Sequence, residues 1–226
     1  MKNILRIGML LCMFLLGSVG WTMAEEPEGG SPEGVVFPEN ATTENGVVLS
    51  AGGLLSAQGH LFDGCGSGSA ESEISVFANG HPVKVYEVDN TLYISTFNGN
   101  DVFGFQSKDK TTGFYKVRLY GGSYGQSVDR TDITLMSGAI RNIYGGGRSD
   151  NPQQPANVSK MARINVSGGS FSLVCGGGRY YARTNEAYIC IGTAETPYKG
   201  ASNYIMAGGM DQGLTTNKDN KFKFRI

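Results

Sequence analysis

Two stretches of this chain, ITLMSGAIRNIYGGGR (Ile133 to Arg148) and INVSGGSFSLVCGGGR (Ile164 to Arg179), align without a gap at an offset of 31 residues. Ile133 falls on Ile164, Leu135 on Val166, Gly138 on Gly169, Ile140 on Phe171, Ile143 on Val174 and Arg148 on Arg179. Each copy is a short β-type run, a glycine turn, a second apolar run and a glycine triplet. A partial third copy, NYIMAGGM (Asn203 to Met210), sets Gly208 and Gly209 a further 31 residues on, and its first run reads as YICIG (Tyr188 to Gly192). VRLYGGSY (Val117 to Tyr124) reads as a fourth copy matching the first half of the motif, and VVLSAGGL (Val47 to Leu54) as a weaker fifth. The motif keeps its length while the spacers vary. Units that stack on one another behave this way, with insertions looping out of the stack.

The glycines say where the corners fall. A glycine inside a strand costs roughly 0.5–1 kcal/mol relative to alanine. The triplets Gly145 to Gly147 and Gly176 to Gly178 would together cost roughly 3–6 kcal/mol in strands, against a whole-domain stability of about 5–15 kcal/mol. They belong instead at corners, where positive φ or close backbone approach between units requires the absence of a Cβ. Between corners, Ile133 and Leu135, Ile164 and Val166, and Ile189 and Ile191 alternate with other residues. One face of each run then points inward, stacked on its neighbour at about 4.8 Å.

The rest of the chain is also β in character. ISVFANG, VKVYEV, TLYISTF, DVFGFQS and FYKVRLY are short β-branched or aromatic runs bounded by Gly, Asn or Pro. No long stretch has a 3.6-residue apolar period. The predicted class is all-β: a parallel β-helix or solenoid over 108–226, and an irregular or small antiparallel β cap over 35–107. A Gly-rich antiparallel sandwich with a local duplication is the competing architecture. KFKFRI (Lys221 to Ile226) alternates strictly, and a cationic last strand would blunt an exposed sheet edge.

The runs SGAIRNIYGGG and SGGSFSLVCGGG resemble the Gly-rich repeats of right-handed parallel β-helix proteins, the pectin-lyase-like group, of the bacterial secreted and surface type. The resemblance covers about Val117 to Gly209. It implies an architecture and an exported setting, and carries no activity by itself. Enzymes of that group use clustered carboxylates, or Asp-bound calcium with an Arg or Lys base.

Residues 1–24 read as a signal peptide. Lys2 and Arg6 open it, the run Ile7 to Val19 is apolar but too short to span a membrane, and Thr22-Met23-Ala24 supplies small residues for cleavage. Residues 25–34, EEPEGGSPEG, read as a flexible acidic leader. The expected location is secreted or cell-surface, with no transmembrane span after cleavage. The net charge of −1, with no basic block, argues against nucleic acid as a partner. Cys65, Cys175 and Cys190 follow the signal. Their spacing is wrong for zinc. Either Cys175 and Cys190 pair as a disulfide or all three stay free.

Catalytic signals are weak. Asp129 and Asp132 read as a polar turn, and Asp101, Asp150 and Asp211 as turn formers. His60 and His81 lie in loops with no nucleophile context. No cofactor is expected. Binding residues are easier to name. Arg148 and Arg179 share one position of the motif, Tyr180 and Tyr181 follow the second, and Tyr144 lies one corner back. Arginine with tyrosine suits an anionic or neutral glycan. The expected function is a non-catalytic extracellular protein that binds a glycan, a matrix component or a surface protein. A small polysaccharide lyase or hydrolase is the alternative.

Overall fold

The computed structural model describes residues 47–48, 54–59, 74–99, 101–106, 108–192, 197–210 and 221–225. The expectations placed on 1–34, on His60 and on Cys65 lie outside these residues. Every regular element among the described residues is a strand. The first seven are β1 (Val47–Val48), β2 (Ser56–Gly59), β3 (Ile74–Phe77), β4 (Val83–Val88), β5 (Thr91–Thr96), β6 (Val102–Phe105) and β7 (Tyr115–Tyr120). β8 (Val128–Leu135), β9 (Ala139–Tyr144) and β10 (Arg148–Ser149) follow, then β11 (Val158–Val166), β12 (Ser170–Cys175) and β13 (Arg179–Tyr180). β14 (Thr184–Ile191), β15 (Ser202–Met206) and β16 (Lys221–Arg225) complete the order. Among the described residues no helix is long and apolar enough to cross a membrane.

The strands form three sheets. An eight-stranded sheet runs β1-β6-β5-β4-β8-β11-β14-β16, and a six-stranded one β15-β12-β9-β7-β3-β2. The third is the parallel pair β10 and β13, prolonged by parallel bridges from Tyr124 to Arg148 and from Arg179 to Met210. The chain visits the sheets in the same order twice, β8-β9-β10 and β11-β12-β13, and begins again with β14-β15. From β4 to β16 the large sheet is parallel. β4, β5, β6 and β1 add antiparallel strands at its other side. β16 closes the large sheet as an edge strand.

Register follows the apolar pattern. Ile133, Ile164 and Ile189 are partners, as are Leu135, Val166 and Ile191. In the six-stranded sheet Ile140 pairs with Phe171, and Ile143 with Val174. All ten side chains are buried in one core. At roughly 1.5–3 kcal/mol per buried side chain, these rows supply the main drive for parallel pairing. A one-residue slip would turn every one of them to the other face. Asp129 and Asp132 do not form a turn. They lie in β8, which starts five residues before Ile133, and their carboxylates reach across to the next strand. VRLYGG also takes a different place from the one its spacing predicts. Leu119 pairs with Ile143 and Tyr120 with Tyr144, so the segment aligns with the second run of the motif. Val47 and Val48 pair antiparallel with β6 and take no part in the parallel rows.

The two kinds of glycine position have different causes. Gly169 turns with φ 75°, a conformation an L side chain rarely adopts. Gly146 needs room instead: a Cβ there would lie 2.5 Å from the Gly178 nitrogen and 2.7 Å from its Cα. Backbone bonds Gly122 N–H to Gly146 O and Gly146 N–H to Gly177 O, at 3.2 and 3.1 Å, join this column.

Candidate functional site

The sequence after each glycine triplet builds the third sheet. Arg148 lies beside Arg179, and Ser149 beside Tyr180. Backbone bonds hold the pair, Arg179 N–H to Gly147 O and Tyr181 N–H to Ser149 O, both 3.0 Å. The motif therefore brings Arg148, Arg179, Tyr180 and Tyr181 together. It does not leave the arginines open to solvent: Arg148 is 3% exposed and Arg179 is 1% exposed. Tyr180 and Tyr181 are half-buried.

The guanidinium of Arg148 donates to both oxygens of Asp150 from one edge, Nε to Oδ1 at 3.2 Å and Nη2 to Oδ2 at 3.0 Å. Such a two-point pair sets orientation as well as charge. The ring of Tyr180 faces both arginines, with its centroid 5.4 Å from the Arg148 guanidinium carbon and 4.8 Å from that of Arg179. Tyr180 adopts φ 57° to do so, a region uncommon for an aromatic residue. Arg179 points to the hydroxyl of Tyr120. Burial, and then Tyr144, push the Tyr120 phenol above its ordinary range, with Arg179 and Arg118 pulling the other way.

Tyr144 is fully buried. It stacks on Tyr120 at 4.6 Å, Tyr120 stacks on Phe77 at 4.9 Å, and the Tyr144 hydroxyl meets Met210 Sδ at 3.4 Å. Its ring belongs to a column inside the protein. Cys175 follows in that column as the register partner of Tyr144. Cys175 and Cys190 are not bonded to each other in the structure. They lie on different sheets. Cys175 gives its thiol to Gly208 O at 2.7 Å, and Cys190 faces Gly192 O at 3.6 Å. Inward Ile189 and Ile191 flank Cys190, so the strand alternation turns its side chain outward.

Beside the arginine pair lies an open cleft of about 350 Å³, lined by Tyr124, Gly125, Gln126, Ser149, Asp150, Asn151 and Gln154. Tyr124 donates its hydroxyl to Asp150 Oδ2 at 3.1 Å. Burial first, and then Asp150, raise its phenol pKa, so it stays a donor. The edge-on ring of Phe77 braces it at 5.8 Å. Asp150 thus accepts three hydrogen bonds. Sequence reasoning read Asp150 only as a turn former and did not single out Tyr124. Aligning YGGSY with YGGGR would have put Tyr124 in the row of Arg148.

Asp101, Asp129 and Asp132 hold neighbouring segments together. Asp129 accepts from Lys160 Nζ at 2.6 Å and Ser159 Oγ at 2.7 Å, which lowers its pKa, Lys160 contributing most. Asp132 pairs with Arg163 and raises that guanidinium's pKa. Asp101 accepts the N–H groups of Leu54 and Leu55 at 2.5 and 2.7 Å. Among the described residues no three His, Cys, Asp or Glu side chains gather where they could hold a metal ion. The chain matches no family model, no curated protein and no solved structure.

Proposed function

We propose that this is an exported, non-catalytic β-helix protein of the secreted or cell-surface kind, acting in adhesion by binding a glycan or matrix component. The parallel rows and the repeated visit to three sheets support a parallel β-helix over the second half, the architecture its glycine motif resembles. The observation that carries the functional reading is the state of Asp150. Both oxygens of its carboxylate accept from Arg148, and Oδ2 also accepts from Tyr124. Bonds of this kind fix where the carboxylate sits, which suits a group that holds a ligand. Asp129 and Asp132 are likewise engaged by Lys160 and Arg163. These groups support a site that holds and positions a ligand without turning it over.

A polysaccharide and matrix panel with the exported chain, with and without calcium, tests this. The expected outcome is saturable binding to at least one glycan or matrix polymer with no new reducing ends and no unsaturated product. Turnover that disappears in Asp129→Asn, Asp132→Asn or Asp150→Asn would make the chain a lyase or hydrolase instead.

A further inference from the structure

We infer that the Tyr124 cleft accepts an uncharged, polyhydroxylated unit, a residue of a neutral glycan, and disfavours uronates and sulfated sugars. This rests on the reading of the chain as a glycan binder and adds to it the class of sugar. The two arginines would attract an anion if they were open. They are buried, and the charge of Arg148 is consumed by Asp150. What the cleft presents is the carboxylate itself, 43% exposed on its side chain and the one charged group among the lining residues. A ligand carboxylate or sulfate there would face the acceptor oxygens of an ion pair whose cationic half is buried, with no exposed cation among the lining residues to receive it.

The remaining lining suits hydroxyl groups. Asp150 retains acceptor capacity beyond its three bonds, because a carboxylate offers about four lone-pair sites. A sugar hydroxyl can donate to it. The exposed amides of Gln126 and Gln154 each offer a donor and an acceptor, the pairing that a diol needs, and Asn151, whose Oδ1 accepts from Gln153 N–H, adds its amide donor. Tyr124 is 38% exposed and supplies an apolar ring for the C–H face of a sugar. The volume of about 350 Å³ is at the lower end of small-molecule sites, roughly 300–1,000 Å³, and suits a short piece of a longer chain.

The site is also set before binding. Phe77 holds the Tyr124 ring, Tyr124 and Arg148 hold Asp150, and Tyr180 lies against Arg148. Groups locked in this way lose little rotamer freedom when a ligand arrives, and preorganisation of that kind raises affinity. The left-handed backbone at Tyr180 thereby acquires a role as part of the brace.

Calorimetric titration with two sets of probes tests the inference. The neutral set is cello-, xylo-, manno- and galacto-oligosaccharides; the anionic set is oligogalacturonates and heparin fragments. Tyr124→Ala and Gln154→Ala are made at exposed positions and checked by their melting curves. Binding of a neutral oligosaccharide, weakened at least about tenfold by Tyr124→Ala and with no measurable uptake of the anionic set, is the expected result. Equal or tighter binding of an anionic probe that is also lost in Tyr124→Ala would overturn the sugar class and leave glycan binding standing. Neutral binding untouched by both variants would remove the cleft as the site. A chain that binds neither set would contradict both this inference and the glycan reading.

Discussion

Gly146→Ala lowers the stability of the protein by about 3 kcal/mol or more, a fall in Tm of about 6–12 °C for a chain of this size. The methyl group would be driven into the backbone nitrogen and Cα of Gly178, at 2.5 and 2.7 Å. Those atoms cannot swing aside as the end of a flexible side chain can. They are also tied to their neighbours, since Gly146 N–H donates to Gly177 O. Gly113→Ala is the comparison. It has φ 76° and no atom within 4 Å of the added Cβ, so it pays the left-handed backbone cost alone, about 1–2 kcal/mol. Thermal melts followed by circular dichroism measure both. Equal losses at the two positions would mean that the close approach at Gly146 does not exist.

Ile164→Asp unfolds the parallel region. Ile164 is fully buried between Ile133 and Ile189 in a row of apolar side chains. An unpaired carboxylate there costs about 3–5 kcal/mol or more, a large part of the roughly 5–15 kcal/mol that holds a domain together. Asn165→Asp, one residue along on the outward face, should change stability by no more than about 0.5 kcal/mol. Loss of the β signal in the first variant and its retention in the second is the expected pair of spectra. Unchanged melting of Ile164→Asp would place that side chain outside the core.

The all-β class could be read from the sequence because its signals are local: β-branched and aromatic runs, glycine corners and no helical period. The inward rows could be read because alternation marks them, and the spacing gave Ile133, Ile164 and Ile189 as one row. Two features escaped for physical reasons. VRLYGG was set against the wrong run, since a short apolar stretch before two glycines fits either half of the motif, and only pairing through Leu119 and Tyr120 decides. Asp129 and Asp132 looked like a turn because polar residues on the outer face of a strand carry no turn or strand mark of their own; their partners Lys160 and Arg163 come from the neighbouring strand.

The site was legible in part. Equal positions in the motif brought Arg148 and Arg179 side by side. Nothing in composition says that a guanidinium will be buried and turned onto a carboxylate two residues away, and that is what moves the exposed chemistry from the arginines to Asp150 and Tyr124. Tyr144 was placed one corner back, correctly in sequence terms, but the stacking of one segment on the next encloses its ring between Tyr120 and the end of the column.

The parallel register of successive segments underlies every feature of the site, and paired spin labels test it most directly. Thr134 and Cys190 flank Asn165 as register partners on the outward face of the large sheet. Two strand spacings put their backbones about 10 Å apart. With Thr134→Cys and native Cys190 labelled in a chain carrying Cys65→Ser, dipolar broadening of the nitroxide spectrum should report a separation on the order of 10–20 Å once label length is included. Spectra that equal the sum of the two singly labelled proteins would contradict the stacked register, and with it the cleft that the stacking builds.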